Sequence, residues 1–288
     1  MAAETVGQLT LRAENYERMV KGFALQLFKM KQLCMESTSS AWAETYFREG
    51  ASELTGGTGS AIKGIPRLAQ FPYGEPNWTK ITSYIEKYGM EGVVSWEDAM
   101  LDNIDVIARE MLRISRAVAN AVDSTIFAAL KANAGNTVTV AATYEWDSAT
   151  IANRDPIQDI LNAKRELYLD NFDPDGGNTY IALHPTDYSN LLGNTKVVNN
   201  PAFKAADVVA NGIVGQICGC KILVSNVVDI SGALVCIAKE CATWKSAKGA
   251  EVYTIEDKGI KDTIRAFEAG VCQVTTPNAI CKIVNTKI

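Results

Sequence analysis

The sequence predicts an α+β protein with a mixed sheet and one long helix, and three observations carry that expectation. Apolar residues recur from Ile104 through Ile107, Met111, Ile114, Val118, Val122 and Ile126 to Leu130, the spacing of a helix with one buried stripe. Short runs rich in β-branched residues, punctuated by Gly, Pro, Asn and Asp, fill the second half of the chain and read as strands and turns. Between residues 64 and 94 three prolines and an alternating run read as an extended ribbon. Helices and short strands in this arrangement give an α+β architecture.

Taken in order, Val20, Phe23, Ala24, Leu27 and Phe28 hold helical spacing over about 10–36, a helix with a sticky face that needs something to lie on. The tract Thr55-Gly-Gly-Thr-Gly-Ser60 follows, and Gly56, Gly57 and Gly59 make it a flexible joint. Residues 1–63 are therefore expected to form a detachable arm and hinge. A phosphate loop is excluded, because Lys63 is followed by Gly64 where that loop needs Ser or Thr. Over 64–94, Pro66, Pro72 and Pro76 break helix, and Phe71-Pro-Tyr-Gly-Glu-Pro76 has turn chemistry, so a long hairpin is expected. In its return strand Thr79, Ile81, Ser83 and Ile85 point one way and Lys80, Thr82, Tyr84 and Glu86 the other. Neither face is apolar enough for a core. Such a hairpin should project, with Phe71, Tyr73 and Trp78 exposed, and finish its burial against another molecule.

Ser95-Trp-Glu-Asp98 resembles a capping box and opens the long helix, which runs to Asn133 with Gly135 as its stop. At about 1.5 Å per residue it spans roughly 50 Å, so an elongated molecule is expected. A strand at 137–143 follows. Asp155 and Pro156 form the N-cap and first turn of a second helix. Residues 180–183 read as a strand, which His184 ends while opening a short helix through Leu192. Further strands are expected at 212–216, 221–227, 234–238, 251–255, 263–274 and 279–284.

Composition narrows the function. The 288 residues are 47% hydrophobic and 21% charged, an ordinary globular balance. With 28 Lys+Arg against 33 Asp+Glu the net charge is −5, which does not suit a protein built to grip phosphate backbones. One histidine, His184, leaves little for triads, imidazole acid–base chemistry or histidine metal sites. No nucleophile motif accompanies it, so a structural, hydrogen-bonded imidazole is expected. The seven cysteines contain no Cys-x-x-Cys pair; Cys218–Cys220 and Cys236–Cys241 are the closest spacings, and reduced structural thiols are expected. Glu97, Asp98 and Asp102 suit the positive end of a helix rather than a catalytic cluster. No catalytic, metal or cofactor site is expected. No stretch approaches the apolar run of about 18 residues that spans a bilayer, and the first residues carry charges where a signal peptide needs an apolar core, so synthesis and folding in the cytosol are expected.

The order of modules is arm, glycine joint, ribbon, long helix, α/β lobe and closing strands. Five stretches add local phrasing: Tyr88-Gly-Met-Glu-Gly-Val-Val-Ser-Trp-Glu-Asp98, Ala119-Asn-Ala-Val-Asp-Ser-Thr-Ile-Phe127, Ile181-Ala-Leu-His-Pro-Thr-Asp-Tyr188, Gly215-Gln-Ile-Cys-Gly-Cys-Lys-Ile-Leu-Val224 and Ala269-Gly-Val-Cys-Gln-Val-Thr-Thr-Pro-Asn-Ala-Ile280. Together they resemble the major capsid proteins of tailed phages, the Hong Kong 97 fold, from about Gly64 to the C-terminus.

The resemblance implies an N-terminal arm and hinge at 1–63, an E-loop at 64–94 and a peripheral domain with its spine helix at 95–143. An axial domain at 144–262 and strands at 263–288 that return to the peripheral domain complete it. It implies a major capsid protein that forms pentamers and hexamers of an icosahedral shell around a double-stranded DNA genome, assembled in host cytoplasm and resident in the virion. The expected partners are other copies of the chain, a portal, a possible decoration protein and, because the arm begins almost at Met1, a separate scaffolding protein. DNA is enclosed without specific binding, and no membrane or cofactor is involved. The expected contact residues are Phe71, Tyr73, Trp78 and Lys80 of the hairpin and Phe23, Leu27 and Phe28 of the arm, with Gly56, Gly57 and Gly59 as the hinge. An encapsulin-type shell around a cargo enzyme, an α/β enzyme and a tail-tube lattice protein are the alternatives.

Overall fold

Three helices and twelve strands form the described part of the chain in a computed structural model, which covers residues 29–48, 50, 65–71, 78–97, 106–194, 197 and 215–287. Phe23, Leu27 and Phe28, the hinge glycines Gly56, Gly57 and Gly59, and Tyr73 lie outside the described residues. In chain order the strands before the long helix are β1 (Met35–Thr38), β2 (Ala43–Arg48), β3 (Thr79–Tyr84) and β4 (Glu86–Ser95). The middle holds α1 (Val106–Ala132), β5 (Asn136–Thr139), α2 (Pro156–Leu169), β6 (Thr179–Leu183) and α3 (Pro185–Leu192). The rest is β7 (Gln216–Ile217), β8 (Cys220–Val224), β9 (Gly232–Ile237), β10 (Ala242–Asp257), β11 (Lys261–Val274) and β12 (Ile280–Val284).

The apolar stripe expected of the long helix is its buried face: Met111, Ile114, Val118, Val122, Ile126 and Leu130 are all buried. Its 27 described residues span about 40 Å. That length lets one helix serve two cores. Its distal half packs into the main core with α2 and a six-stranded mixed sheet of order β5-β12-β9-β6-β8-β7. Its proximal half, through Met111 and Ile114, covers Val252, Ile264 and Ala266 of a four-stranded sheet of order β1-β10-β11-β4. The short helices start as their sequences dictate. Asp155 accepts a hydrogen bond from the Gln158 N–H ahead of Pro156, and the His184 ring accepts one from the Thr186 N–H ahead of Pro185.

Several expectations need correction. The helix expected over 10–36 does not reach Glu36. Residues Met30–Leu33 make a single 3-10 turn and β1 follows, parallel to β10. Nor is this end detachable. Met30 and Leu33 are fully buried in the main core. Asp123 of α1 accepts from the Lys29 and Met30 N–H groups at 2.9 and 3.1 Å, and Lys31 pairs with the buried Glu268 of β11. Two large apolar side chains gain more from that core than from continuing a helix.

The ribbon also pairs differently. β3 lies antiparallel to β2, with Tyr46 opposite Ile81, and the described residues 65–71 and 78 hold no strand. At the buried Ile85 the chain leaves the ribbon, and β4 joins β11 in the four-stranded sheet. The strand expected at 251–255 is the distal part of the 16-residue β10, whose proximal part buries Trp244. There β11 passes so close to the indole that a Cβ on Gly270 would stand 2.5 Å from Trp244. The strand expected at 137–143 ends at Thr139, after which the chain turns and Ala141 O accepts from Tyr144 N at 3.0 Å.

Candidate functional site

The two-stranded ribbon presents two unlike faces, set by the alternation of its strands. Glu44, Tyr46 and Arg48 share one face with Ser83, Ile81 and Thr79, and all but the exposed Thr79 are half-buried against the body. Arg48 Nε donates to Val274 O at 3.3 Å, Gln273 Nε2 donates to Ser83 Oγ at 2.7 Å, and Lys245 stands 3.9 Å from Glu44. Polar groups of β10 and β11 therefore seat the base of the ribbon, which is less free than the expected projecting hairpin.

The opposite face is open and aromatic. Phe47 sits across from Lys80, and Trp78 packs against Phe47 with ring centroids 6.1 Å apart. Both rings remain 56% exposed, while Trp42 is 71%, Tyr84 70% and Phe71 82% exposed. Of the hairpin residues singled out from sequence, Trp78 and Lys80 meet on this face and Phe71 is exposed outside the strands. Phe47, Trp42 and Tyr84 are not among the contact residues expected from sequence, although alternation places Tyr84 on the Lys80 face. The signal for Phe47 lies in the alternation of Ala43 to Arg48, within the 1–63 stretch expected to be arm and hinge.

A second apolar surface lies on the far face of the four-stranded sheet. Val93 and Ile255 flank Thr263 on one rung, and Tyr253 stacks on Phe267 with centroids 5.8 Å apart. Ile260 and Trp96 extend it at the end of the sheet, where Trp96 N donates to Ile260 O at 3.1 Å. Polar ties interrupt it: Arg265 Nε bonds Glu91 at 2.6 Å and Lys87 Nζ lies 4.2 Å from the Phe267 ring. Nothing in the sequence marked this patch, because the same strands carry the Val252, Ile264 and Ala266 core on their other side.

The residues with chemical potential have structural occupations. His184 caps α3. All seven cysteines are free thiols, and desolvation pushes the Cys220 and Cys281 thiols up to about 11 and about 12. A hydrogen bond to Cys272, with burial, raises Cys34 well above the usual thiol range, and one to Cys241 does the same for Cys236. Such thiols are poor nucleophiles. Glu97 lies on the surface at the start of a helical turn, and Asp98 and Asp102 lie outside the described residues. Among the described residues no three His, Cys, Asp or Glu side chains converge to hold a metal ion.

Three carboxyls are buried: Glu268, paired with Lys31, and Asp123 and Asp187. Asp187 accepts from Thr286 Oγ1 at 2.9 Å through one oxygen while the other has no partner, and burial pushes its pKa up to about 6. Burial raises Asp123 to about 6 as well, against the pull of its two backbone N–H donors. The unfolded carboxyl titrates near 3.9, so between about pH 4 and 6 the folded state holds the extra proton. That contribution to stability is present in full at the acid side and is lost as pH rises through 6. Urea denaturation should show wild-type stability, measured relative to Asp187→Asn, falling by about 2 kcal/mol between pH 4.5 and 7.5. Parallel pH profiles for the two proteins would refute the assignment.

This architecture is that of capsid subunits. A capsid subunit of cyanophage P-SCSP1u superposes with a TM-score of 0.66 at 15% identity, over 88% of this chain and 86% of that one. The virus-like particle from Pyrococcus furiosus gives 0.63 at 11% identity, over 94% and 99%. A chain of Mycobacterium phage Che8 gives 0.63 at 16% identity, over 86% of each. The fold thus defines an α+β capsid subunit of the Hong Kong 97 type. No curated protein sequence matches the chain. The model of the phage capsid protein family matches residues 79–283, from the first residue of β3 into β12, and the chain belongs to that family. It is a capsid shell protein.

Proposed function

We propose that the chain is the major capsid protein of a tailed phage, closing as pentamers and hexamers into an icosahedral shell around a double-stranded DNA genome. The observation that carries this is the aromatic outer face of the β2–β3 ribbon, on which Phe47, Trp78 and Tyr84 remain open in the single subunit. Soluble monomers rarely leave such a face bare. Head-to-tail contacts through it would be heterologous, the kind that close into rings when the rotation allows. A subunit held at several edges gains from effective concentration, so each contact can stay weak enough for misplaced copies to leave.

In this reading 64–94 is the E-loop, with β2 as its inner strand, 95–143 the peripheral domain and 144–262 the axial domain. Residues 263–288 return to the peripheral domain, and within 1–63 the arm is the chain before the buried turn at Met30 and the hinge is the glycine tract after β2. Phe71, Tyr73, Trp78 and Lys80, with Phe23, Leu27 and Phe28, contact neighbouring copies, and Gly56, Gly57 and Gly59 absorb differences of angle. A scaffolding protein, a portal and a decoration protein are the partners this role requires or accepts. Assembly takes place in host cytoplasm and the product is the virion.

A second reading is compatible with the same fold, a nanocompartment around a cargo enzyme. Purified protein, alone or with a scaffold, should give capsomer rings or megadalton shells by light scattering and electron microscopy. Nuclease-protected DNA inside shells from infected cells supports the phage role, and a single cargo protein inside supports the nanocompartment. A species that stays monomeric under all assembly conditions overturns both.

A further inference from the structure

The net charge of −5 conceals one surface of the opposite sign. Arg109, Arg113 and Arg116 are all exposed on the side of α1 turned away from its buried stripe. At 100° per residue the three fall within an arc of about 60°, spread over about 10 Å of axis. Every exposed residue along α1 is arginine, lysine, asparagine, serine or alanine. Only two carboxylates belong to the helix, and both are engaged. Glu110 accepts from Arg113 Nε at 2.9 Å, and the buried Asp123 takes the Lys29 and Met30 N–H groups. Arg109 and Arg116 have no ion-pair partner among the described residues. Past Arg116 the row opens into a cleft of about 520 Å³ bordered by Lys29, Asn120, Asp123, Ser225 and Asn226, where Asp123 is held by the two backbone N–H groups and the Lys29 ammonium donates to Val224 O at 2.7 Å, so amide and hydroxyl groups continue the row.

We propose that this face of α1 is a weak, sequence-independent seat for the phosphate backbone of duplex DNA. The inference rests on the shell reading above and deepens it, since it names the side of the subunit turned toward the genome. Two features favour nucleic acid over an acidic protein. A protein contact needs an apolar centre with aromatic or aliphatic anchors, and none of the exposed large apolar residues of the described chain lies on α1, whereas the ribbon and the far face of the four-stranded sheet carry several. Arginine and short polar side chains on a flat helix face are the groups that bind phosphate and sugar without reading bases. Three arginines are also few. Each phosphate neutralised adds about 0.9 to the salt exponent, so three contacts give adhesion that moderate salt dissolves, as suits a wall against which DNA must still slide.

Fluorescence anisotropy of a labelled 30-base-pair duplex against the full-length, unassembled subunit tests this. Binding should weaken about 40-fold between 50 and 200 mM salt, equally for two unrelated sequences. The Arg109→Gln/Arg113→Gln/Arg116→Gln variant should lower the salt exponent by about 2 to 3, while the corresponding triple Lys variant keeps it. An unchanged exponent in the Gln variant, or no binding by wild type at 50 mM salt, overturns the proposal. So does an acidic peptide of equal charge that binds more tightly than the duplex, because the partner would then be a protein. The titration needs no shell, so a failure to assemble would sink the shell reading without deciding this result.

Discussion

Replacing Phe47 and Trp78 together with Ser is expected to abolish shell formation and leave the subunit folded. The two rings pack on each other on the outward face of the ribbon, and neither belongs to either core. Their loss therefore creates no cavity in the subunit. In an interface, large aromatic side chains of this kind are the usual anchors, worth about 2 kcal/mol or more each when truncated. Losing about 4 kcal/mol at one contact lowers its association constant roughly a thousandfold, and a lattice repeats that loss at every subunit. Circular dichroism and urea midpoints should match wild type while light scattering reports only small species. Shells of normal size would show that the ribbon's aromatic face is not a contact, and a collapsed fold would show that it is core. Ser at Phe71 or Tyr73 extends the same assay to the other expected hairpin contacts.

The second large effect concerns the chain just after the arm. Leu33→Ala is expected to cost about 2–5 kcal/mol of subunit stability, and Met30→Ala a similar amount, because both side chains are fully buried. The pair together approaches the whole stability of an ordinary domain, so the double variant should be largely unfolded, or insoluble, at room temperature. An arm detachable up to residue 63 would make both substitutions nearly silent. A change below about 0.5 kcal/mol for Leu33→Ala in urea denaturation would restore that earlier expectation.

The helix α1, the capped starts of α2 and α3, and the strands β6, β9 and β11 were all legible, because each is announced within a short window. A 3.6-residue apolar stripe, Asp before Pro at a first turn, and alternation between turn residues are local signals. The sorting of the ribbon was half legible. Alternation correctly separated Thr79, Ile81 and Ser83 from Lys80, Thr82 and Tyr84, but not which set faces the body. That depends on Val274 and Gln273, far away in the chain.

The arginine row followed the same logic. Its spacing stood in the sequence, yet a summed charge of −5 averages it away, and only packing shows that the side opposite the stripe stays uncovered. The Met30–Leu33 turn went further against expectation, since the apolar pattern before it argued for continuing the helix. A pairing with β10 and a capping carboxylate from α1 overrode local propensity.

By itself, then, the sequence determined the helix faces, the caps and the capsid-like order of modules, all of which are carried by neighbouring residues. Tertiary structure alone decided that β2 pairs with β3 in the ribbon, that 29–38 belongs to the body, and which aromatic face stays open. Each of those outcomes depends on partners distant along the chain, whose burial energy exceeds any local preference that a short window can express.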